Sequence, residues 1–273
     1  GHYSDAAGLF YALVVVVATM RFWLRRRLLP VYLVSAIIAL PPIAQFDTAF
    51  ARQFFHHDII PAPIRAGQGG AALWQWFEAL ILQQVMPGVI NTLILGLLSL
   101  IATSLFALVA FPFISPLFGN RLQRGFSHVG LVFLRSAPEY FLAYLGLILW
   151  GPSLLPALVG LSLHNGAIIA HLLGRYTEQL RLRDDAPLGV NRYFYEVLPR
   201  IFRQFMAYGL YRFEIIMRET ALLGLLGIPT LGFFIDSAFG EFRFDRAMVL
   251  LLSAAILNMF VDACARYLRR HLH

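Results

Sequence analysis

The sequence predicts an all-α, multi-pass membrane protein, and three observations carry that prediction. Hydrophobic residues fill 59% of the 273 positions and charged residues only 14%, with a mean hydropathy of +0.69, too apolar for a water-soluble chain of this length. The apolar residues form runs at 8–24, 28–44, 87–113, 129–150, 153–173, 204–227 and 245–265, each long enough, or nearly so, to cross a hydrocarbon core of about 30 Å as a helix. Seven spans are expected, since a helix satisfies its own backbone in lipid. Third, the arginines are segregated. They cluster at 21–27, at 121 and 124, across 175–203 and at 266–270, whereas the alternate loops hold only Arg52, Arg65, Arg243 and Arg246. With the arginine-rich loops inside, the amino end is expected outside and the carboxyl end in the cytoplasm.

The first run, 8–24, ends in RFWLRRRL (21–28), which resembles ARYLRRHL (265–272) at the other end of the sequence. Residues 1–27 are therefore expected to be an extra amino-terminal membrane helix, the last helix of a preceding fused half, with 28–273 a complete six-helix half. Topology alone also places arginines after such a helix, so both explanations stand. Neither a basic segment before the first run nor a small-residue cleavage pattern after it suggests a secretory signal. Residues 45–84 are expected to be external, with PAP and GQGG as breakers before WQWFEALILQQV, whose Trp74, Trp76 and Phe77 suit an interface. The pair His56–His57 lacks the spacing of a helical metal site. Residues 174–203, the longest cytoplasmic stretch, are interrupted by Pro187 and Gly189, and the apolar side chains at 193, 194, 197 and 198 suggest a short amphipathic helix.

Several function classes drop out. All 22 basic residues are arginine, which excludes a phosphate-binding loop that needs a lysine. Cys264 stands alone, so no internal disulfide or multi-cysteine metal site is possible. The net charge of +7 reports membrane topology here, and no nucleic-acid partner is expected. No HExxH or GxSxG occurs, and Ser162 and His164 in GLSLH are expected to satisfy each other or a neighbouring helix.

Three stretches then resemble, in order, the phosphonate-type permeases of type I ABC importers: FLRSAPEYF (133–141), LVGLSLHNGAIIAHLLGRYTEQL (158–180) and YRFEIIMRETALLGLLGIPTLGF (211–233). They span about 130–265; the first hundred residues match in hydropathy alone. The resemblance implies a type I ABC importer permease fold with about six core membrane helices. It implies a solute pathway formed with a second permease half, fused or a homodimer mate. It also implies two cytoplasmic ABC ATPase subunits that hydrolyse ATP, an external solute-binding protein, membrane lipid around the chain, no cofactor in the chain itself, and residence in the bacterial inner membrane. The chain would do no covalent chemistry, and a phosphonate or related small oxyanion would be carried. The family's coupling loop carries Glu-Ala-Ala, then Gly, then Leu-Pro; here Leu198–Pro199 fits, but Ala186 stands at the Gly position and Gly189 lies three residues too late. Gly189, Tyr193, Phe194, Leu198 and Pro199 are the expected ATPase-coupling residues.

The run YRFEIIMRET sets four charges in a membrane span. At roughly 2.5–3.5 kcal/mol each on insertion scales, four facing lipid would cost about 10–14 kcal/mol. Glu214 and Arg218 are expected to pair along the helix, with Arg212 and Glu219 on a nearby face, and Arg135 and Glu139 are expected to repeat that i, i+4 pairing. With His164 these residues make the candidate substrate pathway. Two readings of the charges remain open: interhelical struts, or guanidinium groups that receive an oxyanion in a bidentate fork. Gly224, Gly227, Pro229 and Gly232 suit a gate or hinge, or close helix packing. Two rival classes also stand: an intramembrane enzyme acting on lipid or phosphate headgroups, and a scaffold without transport.

Overall fold

The computed structural model describes residues 52–271. The chain divides into one unit ending at His57 and a second beginning at Asp58. The first contributes only its last residues, within a π-helical turn Phe54–Asp58. The expected helix at 1–27 and span at 28–44 lie outside the described residues.

In the second unit a short turn, Ala62–Arg65, leads into seven helices: α1 Gly69–Ile114, α2 Arg121–Ser136, α3 Glu139–Trp150, α4 Leu154–Thr177, α5 Leu198–Leu223, α6 Leu231–Gly240 and α7 Phe244–His271. Among the described residues, α1, α4 and α7 are long and apolar enough to cross a membrane, and α2 with α3 supplies a fourth if the pair counts as one span. The chain is a multi-pass membrane protein.

Three expectations need correction. The aromatic segment at 69–80 is continuous with the span that follows, in one helix of 46 residues eased by a π-helical stretch at Ile81–Val85. The run 129–150 is not a single straight span: α2 and α3 meet at 92°. Pro138 causes the bend, because its ring disfavours helical geometry at the preceding residue, and Ala137 is extended with ψ 127°. Finally, no separate helix covers 187–199. A π-helical turn Arg192–Val197 runs directly into α5.

Helix α4 is the hub, packed against α1, α2, α3 and α5. Its most apolar stretch is 61% buried, against 17% for α7. Its small residues let neighbours close in: a Cβ on Gly160 would meet the Ala143 backbone nitrogen at 2.8 Å. One apolar cluster joins Phe111 of α1, Ile169 and Leu173 of α4 and Ile201 of α5. A second joins Leu95, Leu161 and Ile216, and a third ties Met217 and Leu231 to Leu250 and Leu257 of α7. Burying such side chains contributes about 1.5–3 kcal/mol each in water; in lipid the gain comes from close packing instead.

Candidate functional site

The break between α2 and α3 frees the carbonyl of Ala137, and α4 supplies its partner. His164 lies 2.9 Å through Nδ1 from the carbonyl oxygen of Ala137. A carbonyl only accepts, so Nδ1 carries the hydrogen. The other ring nitrogen, Nε2, lies 3.8 Å from a carboxylate oxygen of Glu139, which opens α3 and so occupies the favourable, positive end of that helix. Arg135 does not pair with Glu139. The i, i+4 spacing is lost because the two residues sit on different helices across a right-angle break. Of the partners expected for Ser162 and His164, each other or a neighbouring helix, His164 takes the second, while the Ser162 hydroxyl donates within α4 to Val159 O at 3.1 Å.

Beside His164, the fully buried Asn165 links α4 to α5. Its amide donates to Glu219 Oε2 at 3.1 Å and to Leu161 O at 3.0 Å, and its carbonyl accepts from Arg212 Nη1 at 3.3 Å. Glu139, His164 and Arg212 lie within electrostatic reach of Glu219. The phenol oxygen of Tyr140, next to Glu139, is buried with no hydrogen-bond partner among the described residues.

The four charges of YRFEIIMRET divide between two faces. Arg212 and Glu219 are seven residues apart, nearly two turns, and both face α4. Glu214 lies about 200° around the helix from Arg212 at about 100° per residue and faces α7. The expectation that Arg212 and Glu219 lie on a face near Glu214 and Arg218 is thus corrected. Arg218 donates to Glu214 Oε1 at 2.5 Å, and Arg269 of α7 donates to Oε2 at 3.3 Å. Glu214 is 15% exposed, Arg269 26% and Arg218 61%. Arg218 is the exposed, outer member of this clamp, whereas Arg212 is partly buried against α4.

The glycine-rich turn after α5 is held in backbone contact. A Cβ on Gly232 would fall 1.5 Å from Ala221 O, and one on Gly224 2.2 Å from Phe233 N. Gly227 adopts φ +81°, a left-handed conformation suited to glycine, and Pro229 O accepts from Asn91 of α1 at 2.8 Å. This is close helix packing between α5 and α6.

In the segment before α5, Gly189 is left-handed at φ +65°, Arg192 donates to Pro187 O and Leu117 O at 3.0 Å each, and Pro199 takes the second position of α5, directly after the π-helical turn. Tyr193 turns inward. Its ring stacks on Phe111 at 5.5 Å and its hydroxyl donates to Leu108 O at 3.0 Å; burial raises the pKa of the phenol, keeping it a neutral donor. Leu198 also packs on the interior cluster. Phe194 is exposed, as are Leu188, Val190 and Tyr195, which the sequence reading did not single out. Apolar spacing alone cannot distinguish a face buried against the protein's own helices from one offered to a partner.

Asn165 and Arg269 were also missed as site residues. Asn165 sits next to His164 in LSLHNG and was visible as a polar neighbour. Arg269 read only as a topology marker.

Fold comparison defines the class. The chain resembles the solved structure of an amino acid ABC transporter with histidines, with a TM-score of 0.57 at 14% identity over 74% of this chain and 97% of that one. It has the fold of a type I ABC importer permease. Sequence comparison gives further relatives. The chain is 26% identical over 156 residues, 54% of its length and 56% of the relative's, to a phosphite transport system permease protein of Stutzerimonas stutzeri. It is 23% identical over 120 residues, 42% of its length and 98% of the relative's, to a putative cryptic phosphonate transport system permease protein of Escherichia coli (strain K12). The first of these matches spans little more than half of that relative. No protein-family model matches the chain.

Proposed function

We propose that the chain is a membrane permease subunit of an ATP-driven importer for phosphonate, phosphite or a related small oxyanion, in the bacterial inner membrane. The observation that carries this reading is the Arg212–Asn165–Glu219 network beside the helix break with Glu139 and His164, inside a permease fold. The network holds a guanidinium within the membrane without spending all its donors: Arg212 gives one of five to Asn165. A passing oxyanion can take two of the rest in a fork, with Glu219 and Glu139 setting the charge it must displace. Two ATPase subunits, a second permease half and an external binding protein complete the machine. ATP binding closes the ATPases, and Gly189–Pro199 passes the motion to α5, with Phe194 and Tyr195 as the outward contacts. This chain does no covalent chemistry.

The test is uptake of radiolabelled phosphite and methylphosphonate by cells expressing the chain with its neighbouring ATPase and binding-protein genes. Uptake of either that is lost in Arg212→Gln, with the protein still in the membrane, supports the reading. Failure of the chain to copurify with any ATPase, together with uptake no higher than in cells lacking the chain, refutes it and favours the enzyme or scaffold class, and wild-type uptake by Arg212→Gln removes Arg212 from the pathway.

A further inference from the structure

We propose that the groove between α2 and α4 is a second oxyanion site, built to hold a phosphate group. It lies where α1 and α4 end, the side that the arginine distribution predicts to be cytoplasmic, and it is distinct from the Asn165 network. A cavity of about 730 Å³ opens there, lined by Arg121, Arg124, His128 and Arg135 from α2 and by His171 and Arg175 from α4. The proposal does not rest on the transport reading.

The sequence of α2 explains the cavity. Leu122, Phe126, Val129 and Phe133 recur at helical spacing and are 67–80% exposed, an apolar stripe turned away from the protein. Positions 121, 124, 128 and 135 fall on the other side of the helix and carry its basic residues towards α4. A solvated surface helix shows the reverse arrangement. The charges are therefore gathered between two helices while the apolar side faces outward. Asn120 fixes the entry by capping α2 through Gln123 N at 2.9 Å, and the Ser115–Thr177 hydroxyl pair at 2.7 Å ties the turn before α2 to the end of α4. Gly125 lines the cavity, and a Cβ there would meet nothing within 4 Å, so a larger side chain at this position has room to enter it.

The charges inside are not balanced. Four arginines line the cavity against one carboxylate, Glu178. Glu178 lies 3.8 Å from Arg124, which also donates to Ile114 O at 3.2 Å. The guanidinium groups of Arg121, Arg135 and Arg175 make no hydrogen bond or ion pair to any described residue. A second, independent sign of a ligand is His171. It is only 8% exposed, lines the cavity and has no partner for Nδ1, while its ring sits 5.1 Å from that of His128. A buried polar atom without a partner is costly, and unpaired guanidinium groups at a membrane edge attract a multivalent oxyanion, which they bind by bidentate forks. Two sources offer that chemistry: the phosphate of an anionic phospholipid headgroup and a free phosphate or phosphonate ion.

The experiment uses the full chain, delipidated in neutral detergent, and follows thermal unfolding against two probes: inorganic phosphate, and short-chain phosphatidylglycerol below its critical micelle concentration. The proposal expects a saturable rise in melting temperature with at least one probe. A response to phosphate assigns a free oxyanion, and a response to the lipid alone assigns a headgroup. Arg121→Gln with Arg175→Gln, both at exposed positions, should weaken the apparent affinity at least tenfold. Gly125→Trp, which fills the cavity and removes no charge, should do the same. Arg266→Gln, a cation of α7 paired with Asp262 outside the cavity, should leave it unchanged. Absence of any saturable shift in the wild-type chain, or equal shifts in the cavity variants and Arg266→Gln, overturns the proposal.

Discussion

Replacing Glu214 by Gln removes the carboxylate charge shared by Arg218 and Arg269, and the two arginines should not respond alike. Arg269 lies 3.3 Å from Glu214 and is 26% exposed. At an effective dielectric of about 20, a pair at that distance attracts by about 5 kcal/mol before desolvation is subtracted. Leaving one member of a buried pair uncompensated costs about 3–5 kcal/mol, so partial exposure puts Glu214→Gln near the lower end, about 3 kcal/mol. Arg218 is 61% exposed, and a pair with so open a partner is worth about 0–1 kcal/mol. The expected order of destabilisation is Glu214→Gln, then Arg269→Gln, then Arg218→Gln near wild type. The exchange Glu214→Arg with Arg218→Glu should not rescue: it restores the pair along α5 but sets the new Arg at 214 against Arg269. Adding Arg269→Glu should recover most of the loss, because α5 and α7 then attract again. Thermal unfolding in detergent reads the series. Full stability of the two-residue exchange, or an Arg218→Gln defect as large as that of Glu214→Gln, would refute the clamp.

Other predictions are shorter. Asn165→Leu keeps the volume but leaves Arg212 and Glu219 without their link; each buried group left unsatisfied costs about 1–3 kcal/mol, so uptake should fall at least tenfold, and wild-type uptake would dismiss the network. Gly232→Ala, whose Cβ would fall 1.5 Å from Ala221 O, should cost at least about 1–3 kcal/mol as overpacking. Gly209→Ala on the same α5, with nothing within 4 Å, should be neutral or stabilising by about 0.4–1 kcal/mol; melting temperatures check the contrast. Phe194→Ala with Tyr195→Ala should uncouple ATP hydrolysis from uptake, whereas Tyr193→Ala should lower the melting temperature, since Tyr193 anchors the segment to α1. For topology, single cysteines at 184 and 67 in a Cys264→Ser background should react with an impermeant external reagent at 67 only; labelling at 184 contradicts the arginine-based orientation.

Much of the helical layout was legible because composition and run length are local properties. The runs 87–113, 153–173 and 245–265 became membrane-length helices. The run 129–150 misled because apolarity continues through Ala137–Pro138; hydropathy does not register that proline bars helical geometry before it, and the break changed the partner of Glu139 from Arg135 to His164. Within α5 the Glu214–Arg218 pair could be read from i, i+4 spacing, since both ends lie on one helix. Asn165 and Arg269 could not, because their roles depend on which helices pack together across 47 and 55 positions of sequence. Tyr193 shows the same limit. Its apolar spacing was plain, but the side of the segment facing Phe111 was not.

The central claim is that ATP hydrolysis elsewhere in an assembly drives an oxyanion past Arg212 in this chain. The most direct measurement is ATP hydrolysis by the purified complex of this chain with its ATPase subunits in lipid nanodiscs, with the binding protein empty or loaded with phosphite or a phosphonate. The account predicts stimulation by the loaded binding protein, lost in the Phe194→Ala/Tyr195→Ala variant and accompanied by uptake that Arg212→Gln abolishes. Hydrolysis indifferent to this chain and to the loaded binding protein, in a complex that assembles, would contradict it.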